Sequence, residues 1–579
     1  MYIHTDFEPY DAHRLFPCFD QPDLKAKYKL SVTGPKDWSF IHNTDAGSES
    51  EEGDFKTVFT YLTHLAFACY GIQDGYTVAH FSDKIFINGH VYRDDIFFFM
   101  MVSRLEYLVA GLAIISQEYQ SLTGLVKPTH GVDAGGVIDK IYDIVLFYLG
   151  RRCAYNAHGF IEGNKPYGVI FDLPVAFLEV FFQIEDSKNY YHLRHFLNFL
   201  IFFISSIFFF KLLSNRFSNN YISLIGTLFY ILSPRIYGNS FYNNKDIIFL
   251  SLLTIALYFC FKVLDKKNLK NLLIFSLFGA IFTCSRMLGI FLIISFLIFY
   301  LLTFWSNKKN LDNFLHLITF CIAYCFFTIL FWPYLWSDPI NNFILGFKYF
   351  SDFPLHLKMI FNGEYINSHF LPKSYIFTWI FITTPILYII LFILGYIQIL
   401  KRFFLRFINI KENDHDFWRG TDEKKDLFIC FNLTAVILYL ISFNTPLYSG
   451  WRHIYFLNVF IIYISMVGFY QIDIYMKRKF KNNFHYYISI LFLITVAYKM
   501  FIYHPFQNIY FNNYFNKISH LNFEIDYWGL SGKKFLKEIL TLENNESTIK
   551  IGVASFLPLE RSTKLLDKKE RKRIKIIGG

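Results

Sequence analysis

Arg194–Ser214 reads RHFLNFLIFFISSIFFFKLLS, an apolar run broken only by the opening Arg-His pair, one Asn, two Ser and Lys211 before its closing residues. A helix rises about 1.5 Å per residue, so a run of roughly 20 residues crosses the ~30 Å hydrocarbon core of a bilayer. The same signature recurs toward the C-terminus at 219–234, 247–264, 271–284, 287–305, 312–331, 376–400, 426–443, 453–471 and 486–502. On the N-terminal side, Asp95–Ser116 is mostly apolar but carries Arg104 and Glu106, and reads as a further, first span. Val169–Ile184 is apolar but short and contains Asp172, Pro174 and Glu179, which favours an interfacial helix. The fold class read from these runs is a polytopic α-helical membrane protein with about 10–11 transmembrane helices and a small β-rich N-terminal fragment.

Composition agrees. Hydrophobic residues make up 54% of the 579, and the 72 Phe and 41 Tyr suit lipid-facing and interfacial positions. The net charge of +10 is distributed by loop and gives no case for nucleic acid. One alternating set of connections holds Arg216, Lys266, Lys267, Lys270, Lys308, Lys309, Lys401, Arg402, Arg406, Lys411, Arg419, Lys424, Lys425, Lys477, Arg478, Lys479 and Lys481. The opposite set holds isolated cations such as Arg235, Lys245, Arg286 and Arg452. The positive-inside bias makes the first set cytoplasmic. Loops 235–246, 332–375, 444–452 and the tail from 503 then face outside. With 95–116 as a span, the N-terminus is cytoplasmic and the C-terminus outside, in the inner (plasma) membrane if the source is bacterial. None of the eight cysteines forms CxxC, which leaves no disulfide or metal framework. Met1–Asp20 is polar and lacks an apolar h-region, so later spans are expected to direct insertion.

These readings divide the chain into a soluble β-rich segment (1–75), a polar junction (76–94), the first span (95–116), an outer-face loop with interfacial helices (117–193), a transmembrane domain (194–502) and an outer-face tail (503–579). Chemistry gathers on the outer connections. Ser233–Asp246 is dense in donors and acceptors, with Arg235 near its start and Asp246 at the head of the next helix. Arg286 lies between two apolar halves with almost no loop, where a cation needs a counter-ion or an anionic ligand. A guanidinium fork matches phosphate. Trp451, Arg452 and His453 cluster at the head of another span; an aromatic belt explains the Trp more readily than the Arg-His pair. The long connection after Phe331 alternates aromatic and polar pieces, as expected of a loop with an interfacial helix covering a site.

Several pieces together carry a resemblance. They are Tyr167–Phe171, Arg194–Asn198, Ser233–Asp246, Ser285-Arg286, Pro333–Pro339, Leu371–Tyr375, Gly450–Phe456, His504–Asn512 and Phe523–Ser531. In this order the chain resembles bacterial glycosyltransferases of the dolichyl-phosphate-mannose–protein mannosyltransferase type, within the GT-C superfamily. The resemblance implies a GT-C-like fold, a polyprenyl-phosphate-sugar donor in the membrane, a lipid or protein acceptor, and transfer on the non-cytoplasmic face. It also implies an acidic motif, often Asp-Glu, in the first outer loop. The corresponding stretch, Thr129–Asp139, offers Asp133 followed by Ala134. The sites implied are Asp133 and Asp246 for catalysis and Arg235, Arg286, Trp451, Arg452 and His453 for substrate binding. No cofactor is implied with certainty, and a divalent metal stays open. A catalytically degenerate lipid-binding relative and a transporter are the alternatives.

The N-terminus resembles a second family. Pro9–Ala26, with weaker continuation through Ile41–Thr44 and Glu49–Asp54, is similar to the N-terminal β-domain of aminopeptidase N-type zinc peptidases. Peptidase chemistry is not expected, because no His-Glu-x-x-His string occurs anywhere in the chain.

Overall fold

The computed structural model describes residues 28–35, 46–52, 55–62, 85–87, 90–92, 166–184, 186–306, 311–351, 356–408, 417–512, 522–543, 548–552 and 559–577. The expected first span at 95–116 and Asp133 lie outside them. The chain divides into two compact units, residues 1–132 and 133–579.

In the first unit β1 (Tyr28–Pro35), β2 (Ala46–Glu52) and β3 (Phe55–Leu62) form an antiparallel sheet in the order β1-β3-β2. The alternation Tyr28, Leu30, Val32 against Lys29, Ser31, Thr33 has the period of two that a strand requires. The register runs Tyr28↔Leu62 to Pro35↔Phe55, and β2 shifts register between Ala46 and Ser48. A short hairpin, β4 (Ile85–Ile87) with β5 (His90–Tyr92), follows.

The second unit is a helical bundle. Its elements begin with α1 (Asp172–Phe181), α2 (Ser187–Phe217), α3 (Asn220–Ile231), α4 (Pro234–Asn239), α5 (Asp246–Asp265) and α6 (Leu269–Ser285). They continue with α7 (Ile290–Ser306), α8 (Leu311–Phe331), α9 (Pro339–Ser351), α10 (Tyr375–Thr383), α11 (Ile386–Ile408), α12 (Thr421–Ser442), α13 (Leu457–Lys479) and α14 (Phe484–Ile502). Among the described residues seven helices (α2, α5, α8, α11, α12, α13 and α14) are long and apolar enough to cross a membrane, and three shorter apolar helices stand at α3, α6 and the 287–303 segment that includes α7. The protein is therefore a polytopic helical membrane protein. One sequence expectation changes in detail. The run 376–400 is two helices, broken at Thr384-Pro385, because proline lacks the N–H that would continue the α10 ladder.

Side-chain caps mark the helix starts. Asp186 accepts from Lys188 N before α2, Asn219 from Tyr221 N and Ile222 N before α3, and Asn268 from Asn271 N before α6. The most apolar windows of α5 and α13 are 83% and 67% buried, against 17% for α8 and 28% for α11 and α14, so α5 and α13 form the axis of the bundle. The peripheral helices leave Ile204, Ile318, Ile322, Ile393, Ile397, Leu491 and Ile494 exposed, a surface suited to lipid.

The α11–α13 crossing is a close helix-to-helix backbone approach that glycine permits. A Cβ on Gly395 would overlap the Ile464 carbonyl oxygen and sit 2.8 Å from Gly468 N; one on Gly468 would overlap the Leu391 carbonyl oxygen and sit 2.9 Å from Gly395 N. Small residues are how membrane helices come this close. At one end of the bundle four helices meet on Asp426 of α12. Arg216 donates to both its carboxylate oxygens (2.7 and 2.6 Å), Arg402 to Oδ2 (3.2 Å) and the Tyr463 hydroxyl to Oδ1 (3.0 Å). A buried charge is tolerable only when paired this completely.

The opposite end carries the shorter elements. Strands β6 (Lys358–Phe361) and β7 (Glu364–Asn367) form a two-residue hairpin across Asn362-Gly363, both at positive φ (53° and 83°), the conformation this tight turn demands. The tail joins its edge. Gly363 N donates to Asn522 O (3.0 Å), Glu524 N to Ile360 O (3.3 Å), and Phe361 bridges Phe523. Beyond it, α15 (Ser531–Leu542), β8 (Ile549–Gly552), α16 (Leu559–Thr563), α17 (Lys568–Lys572) and β9 (Ile574–Ile577) close over Leu536, Leu540, Leu559 and Leu566, with β8 and β9 parallel. This piece is tied to the start of α2 by Ser187 Oγ donating to Lys564 O (3.0 Å) and by Lys188 to Asp567 (2.5 Å).

Candidate functional site

Where α6 ends, Ser285 is the last helical residue and Arg286 is extended, with φ −156° and ψ 138°. The chain then turns back so closely that a Cβ on Gly289 would lie 2.7 Å from Thr283 Cα. That tight return keeps Arg286 at the mouth of the bundle. Its guanidinium pairs with Asp246 Oδ1, at the head of the central helix α5. Asp246 is buried, and its second oxygen is also engaged: Asn243 Nδ2 donates to Oδ2 (2.8 Å), while Asp246 N donates to Asn243 Oδ1 (3.0 Å). Asn239 extends the chain of polar contacts, accepting from Asn243 Nδ2 (3.1 Å) and Trp528 Nε1 (3.2 Å).

Arg452 sits in the short 3-10 turn Arg452–Ile454 before α13. Its guanidinium carbon lies 4.9 Å from the ring centres of both Tyr448 and Trp528 and 5.9 Å from that of Tyr527. No carboxylate pairs with it among the described residues. Aromatic faces stabilise a guanidinium by roughly 0.5–2 kcal/mol and leave its N–H edge available to an anion. His453, half-buried, packs its ring 4.4 Å from that of Tyr448. Burial first, and then the positive charges of Arg452 and Arg286, push its imidazole well below the usual histidine range. It is therefore neutral at neutral pH.

These groups line one cavity of about 360 Å³. Its polar lining includes Asn243, Asp246, Arg286, Arg452, His453 and Thr445; its apolar lining includes Met287, Leu288, Phe347, Phe350, Leu440 and Leu447. Buried Nε of Arg286, Nε of Arg452, Nδ1 of His453 and Oγ1 of Thr445 have no hydrogen-bond partner among the described residues. Such groups are costly to leave unmatched, so the cavity is chemically ready for an acceptor-rich, anionic ligand with an apolar portion. Tyr167, also on the wall, is pushed up to about 12 by burial and stays a neutral donor. No group of three His, Cys, Asp or Glu with metal-binding geometry occurs among the described residues.

The structure thus brings Asp246, Arg286, Arg452 and His453 together. It does not bring Arg235 or Trp451 to the cavity. Arg235 is buried, donates to Tyr510 O (2.9 Å) and lies over Phe511 (4.6 Å) and Trp379 (5.2 Å). Trp451 is buried and donates to Thr383 Oγ1 (2.9 Å). Both tie the tail and α10 to the bundle. Asp133 falls outside the described residues, so the structure gives it no position. Sequence reasoning passed over Asn243 and Thr445, whose amide and hydroxyl carry no signal by themselves, and Trp528, which arrives from the far tail.

The comparisons with known proteins divide the chain in two. Residues 174–332 match the family model described as dolichyl-phosphate-mannose-protein mannosyltransferase, and this segment supplies Asp246, Asn243 and Arg286. Residues 1–70 match the peptidase M1 N-terminal domain. Glutamyl aminopeptidase of Homo sapiens is 37% identical over 68 residues, 12% of this chain and 7% of that protein. Probable M1 family aminopeptidase 1 of Encephalitozoon cuniculi is 48% identical over 54 residues, 9% of this chain and 6% of that protein. The chain therefore spans less than a tenth of the length of these curated relatives. It is a polytopic membrane protein that joins a segment similar to the dolichyl-phosphate-mannose-protein mannosyltransferase family to a segment similar to the peptidase M1 N-terminal domain.

Proposed function

We propose that this protein is a membrane glycosyltransferase that moves a sugar from a polyprenyl-phosphate-linked donor to a lipid or protein acceptor on the non-cytoplasmic face. The observation that carries the reading is the cavity in which Arg286 and Arg452 share a lining with apolar walls. A polyprenyl phosphate has this polarity: a charged head on a hydrocarbon chain. In the transfer, an acceptor oxygen attacks the anomeric carbon and the bond to the phosphate oxygen breaks. Negative charge then grows on the departing phosphate, and two preplaced guanidinium groups stabilise it. Asp246, held by Arg286 and Asn243, orients the Arg286 fork toward the cavity. Asp133 enters this reading from the sequence alone, as a candidate carboxylate for the chemistry. His453, neutral, offers a hydrogen bond without adding charge.

The test is sugar transfer by purified protein in liposomes from polyprenyl-phosphate donors, comparing wild type with Arg286→Ala, Arg452→Ala and Asp133→Asn. Loss of transfer in the arginine variants is expected. Undiminished transfer in both arginine variants would reject this site. Lipid-phosphate binding with no transfer from any donor would favour the degenerate relative, for which the full engagement of both Asp246 oxygens is the supporting observation.

A further inference from the structure

Two carboxylates line the cavity and the recess beside it among the described residues: Asp246 and Asp172. Asp246 has both oxygens occupied. Asp172, at the start of α1, is different. Its Oδ1 accepts from Arg194 Nη1 (2.8 Å) and Asn244 Nδ2 (3.1 Å), which fixes the side chain, while Oδ2 has no hydrogen-bond partner among the described residues. Arg194 is itself anchored, donating from Nε to Glu179 Oε1 (2.7 Å) and lying 4.6 Å over the Tyr190 ring. The carboxylate is 23% exposed, open on one side. Asp172 also lines a recess of about 20 Å³, together with Lys245, Ser285 and Arg286. That volume suits a single hydroxyl or water. Arg286, Lys245 and Ser285 line the main cavity as well, so the recess adjoins the place assigned to the lipid phosphate.

We propose that Asp172 is the carboxylate that takes the proton of the attacking acceptor hydroxyl. The inference rests on the transferase reading above. The acceptor oxygen forms a bond to the anomeric carbon as the carbon–oxygen bond to the phosphate breaks, and that bonding pair leaves with the phosphate. The hydroxyl proton passes to Asp172 Oδ2 and later to solvent, so the products are the glycoside, the lipid phosphate and one released proton. Arg194 and Asn244, both on Oδ1, hold the base in position and leave its other oxygen for the proton.

The experiment has two arms. In liposomes, Asp172→Asn keeps the shape and is expected to lower kcat by at least about 100-fold. The donor KM is expected to stay within about threefold, because the phosphate contacts are untouched. Asp172→Glu recovers part of the rate, and the acid limb of the pH–rate profile disappears in the residual activity of Asp172→Asn. In the second arm, wild-type protein is treated with a water-soluble carbodiimide and a glycine ester, and the labelled carboxylates are read by peptide mass. Asp172 is labelled, Asp246 is not, and added polyprenyl phosphate protects Asp172. An Asp172→Asn rate within about threefold of an active wild type would overturn the proposal, as would labelling that polyprenyl phosphate does not reduce. Wild type inactive with every donor overturns the transferase reading and the proton role with it. The labelling arm then still decides whether Asp172 borders the bound phosphate.

Discussion

Gly395→Ala and Gly468→Ala should each destabilise the bundle by about 2–3 kcal/mol, and the pair together by much less than the sum. The magnitude follows from the α11–α13 crossing. Each added methyl would overlap a backbone carbonyl of the facing helix and lie 2.8–2.9 Å from a backbone nitrogen, more than half an ångström inside ordinary contact. Backbone cannot rotate away as a flexible side chain can, so the helices must separate. A separation of 0.5–1 Å forfeits about a quarter to a half of each dispersion contact along the seam. Once the first methyl has opened the seam, the second meets less resistance, hence the shortfall from additivity. The assay is equilibrium unfolding of purified protein in mixed micelles of a mild detergent and increasing sodium dodecyl sulfate, followed by tryptophan fluorescence. Single variants within about 0.5 kcal/mol of wild type would refute the reasoning, as would strict additivity of the pair.

Asp246→Asn leaves Arg286 without its counter-ion in a partly buried place; we expect a loss of about 2–3 kcal/mol in the same unfolding assay and weaker retention of polyprenyl phosphate in a binding measurement. The half-buried His453 has its pKa depressed, so the unfolded chain takes up the proton more readily than the folded one. The sign follows: its contribution to stability is complete above the ordinary histidine value of about 6.5 and is lost as pH falls below it. Melting temperatures measured between neutral and mildly acidic pH should fall, and fall less in His453→Gln. Trp528→Ala removes one aromatic face from Arg452 and the donor to Asn239, and should raise the KM for a polyprenyl-phosphate donor about tenfold, with a smaller change in kcat.

Much of the fold was legible because membrane spanning is written locally: hydrocarbon thickness sets a run length, and most of the runs from Arg194 onward meet it. The break at Pro385 shows the limit, since hydropathy runs smoothly through 376–400 while the backbone does not. In the site, Arg286 and Arg452 stood out because a cation at the edge of an apolar run needs an explanation wherever it points. Direction is what the sequence withholds. Trp451 and Arg452 are neighbours, yet one bonds Thr383 inside the bundle and the other lines the cavity. Arg235 looked like its fellow cations and instead anchors the tail through Tyr510. Asp172 looked like a flaw in a short apolar segment, and its partner Arg194 comes from the next helix.

The strand-like contact between Phe523 and the β6–β7 hairpin has a consequence in chain order. Among the described residues Trp528, which that contact precedes, is the last in chain order to enter the cavity lining, and it comes after α14. A chain stopped after α14 would hold the seven long apolar helices described above and both arginines, yet its vestibule would lack a wall. In chain order, the last wall of the cavity is therefore supplied by the tail and not by the helices that frame it.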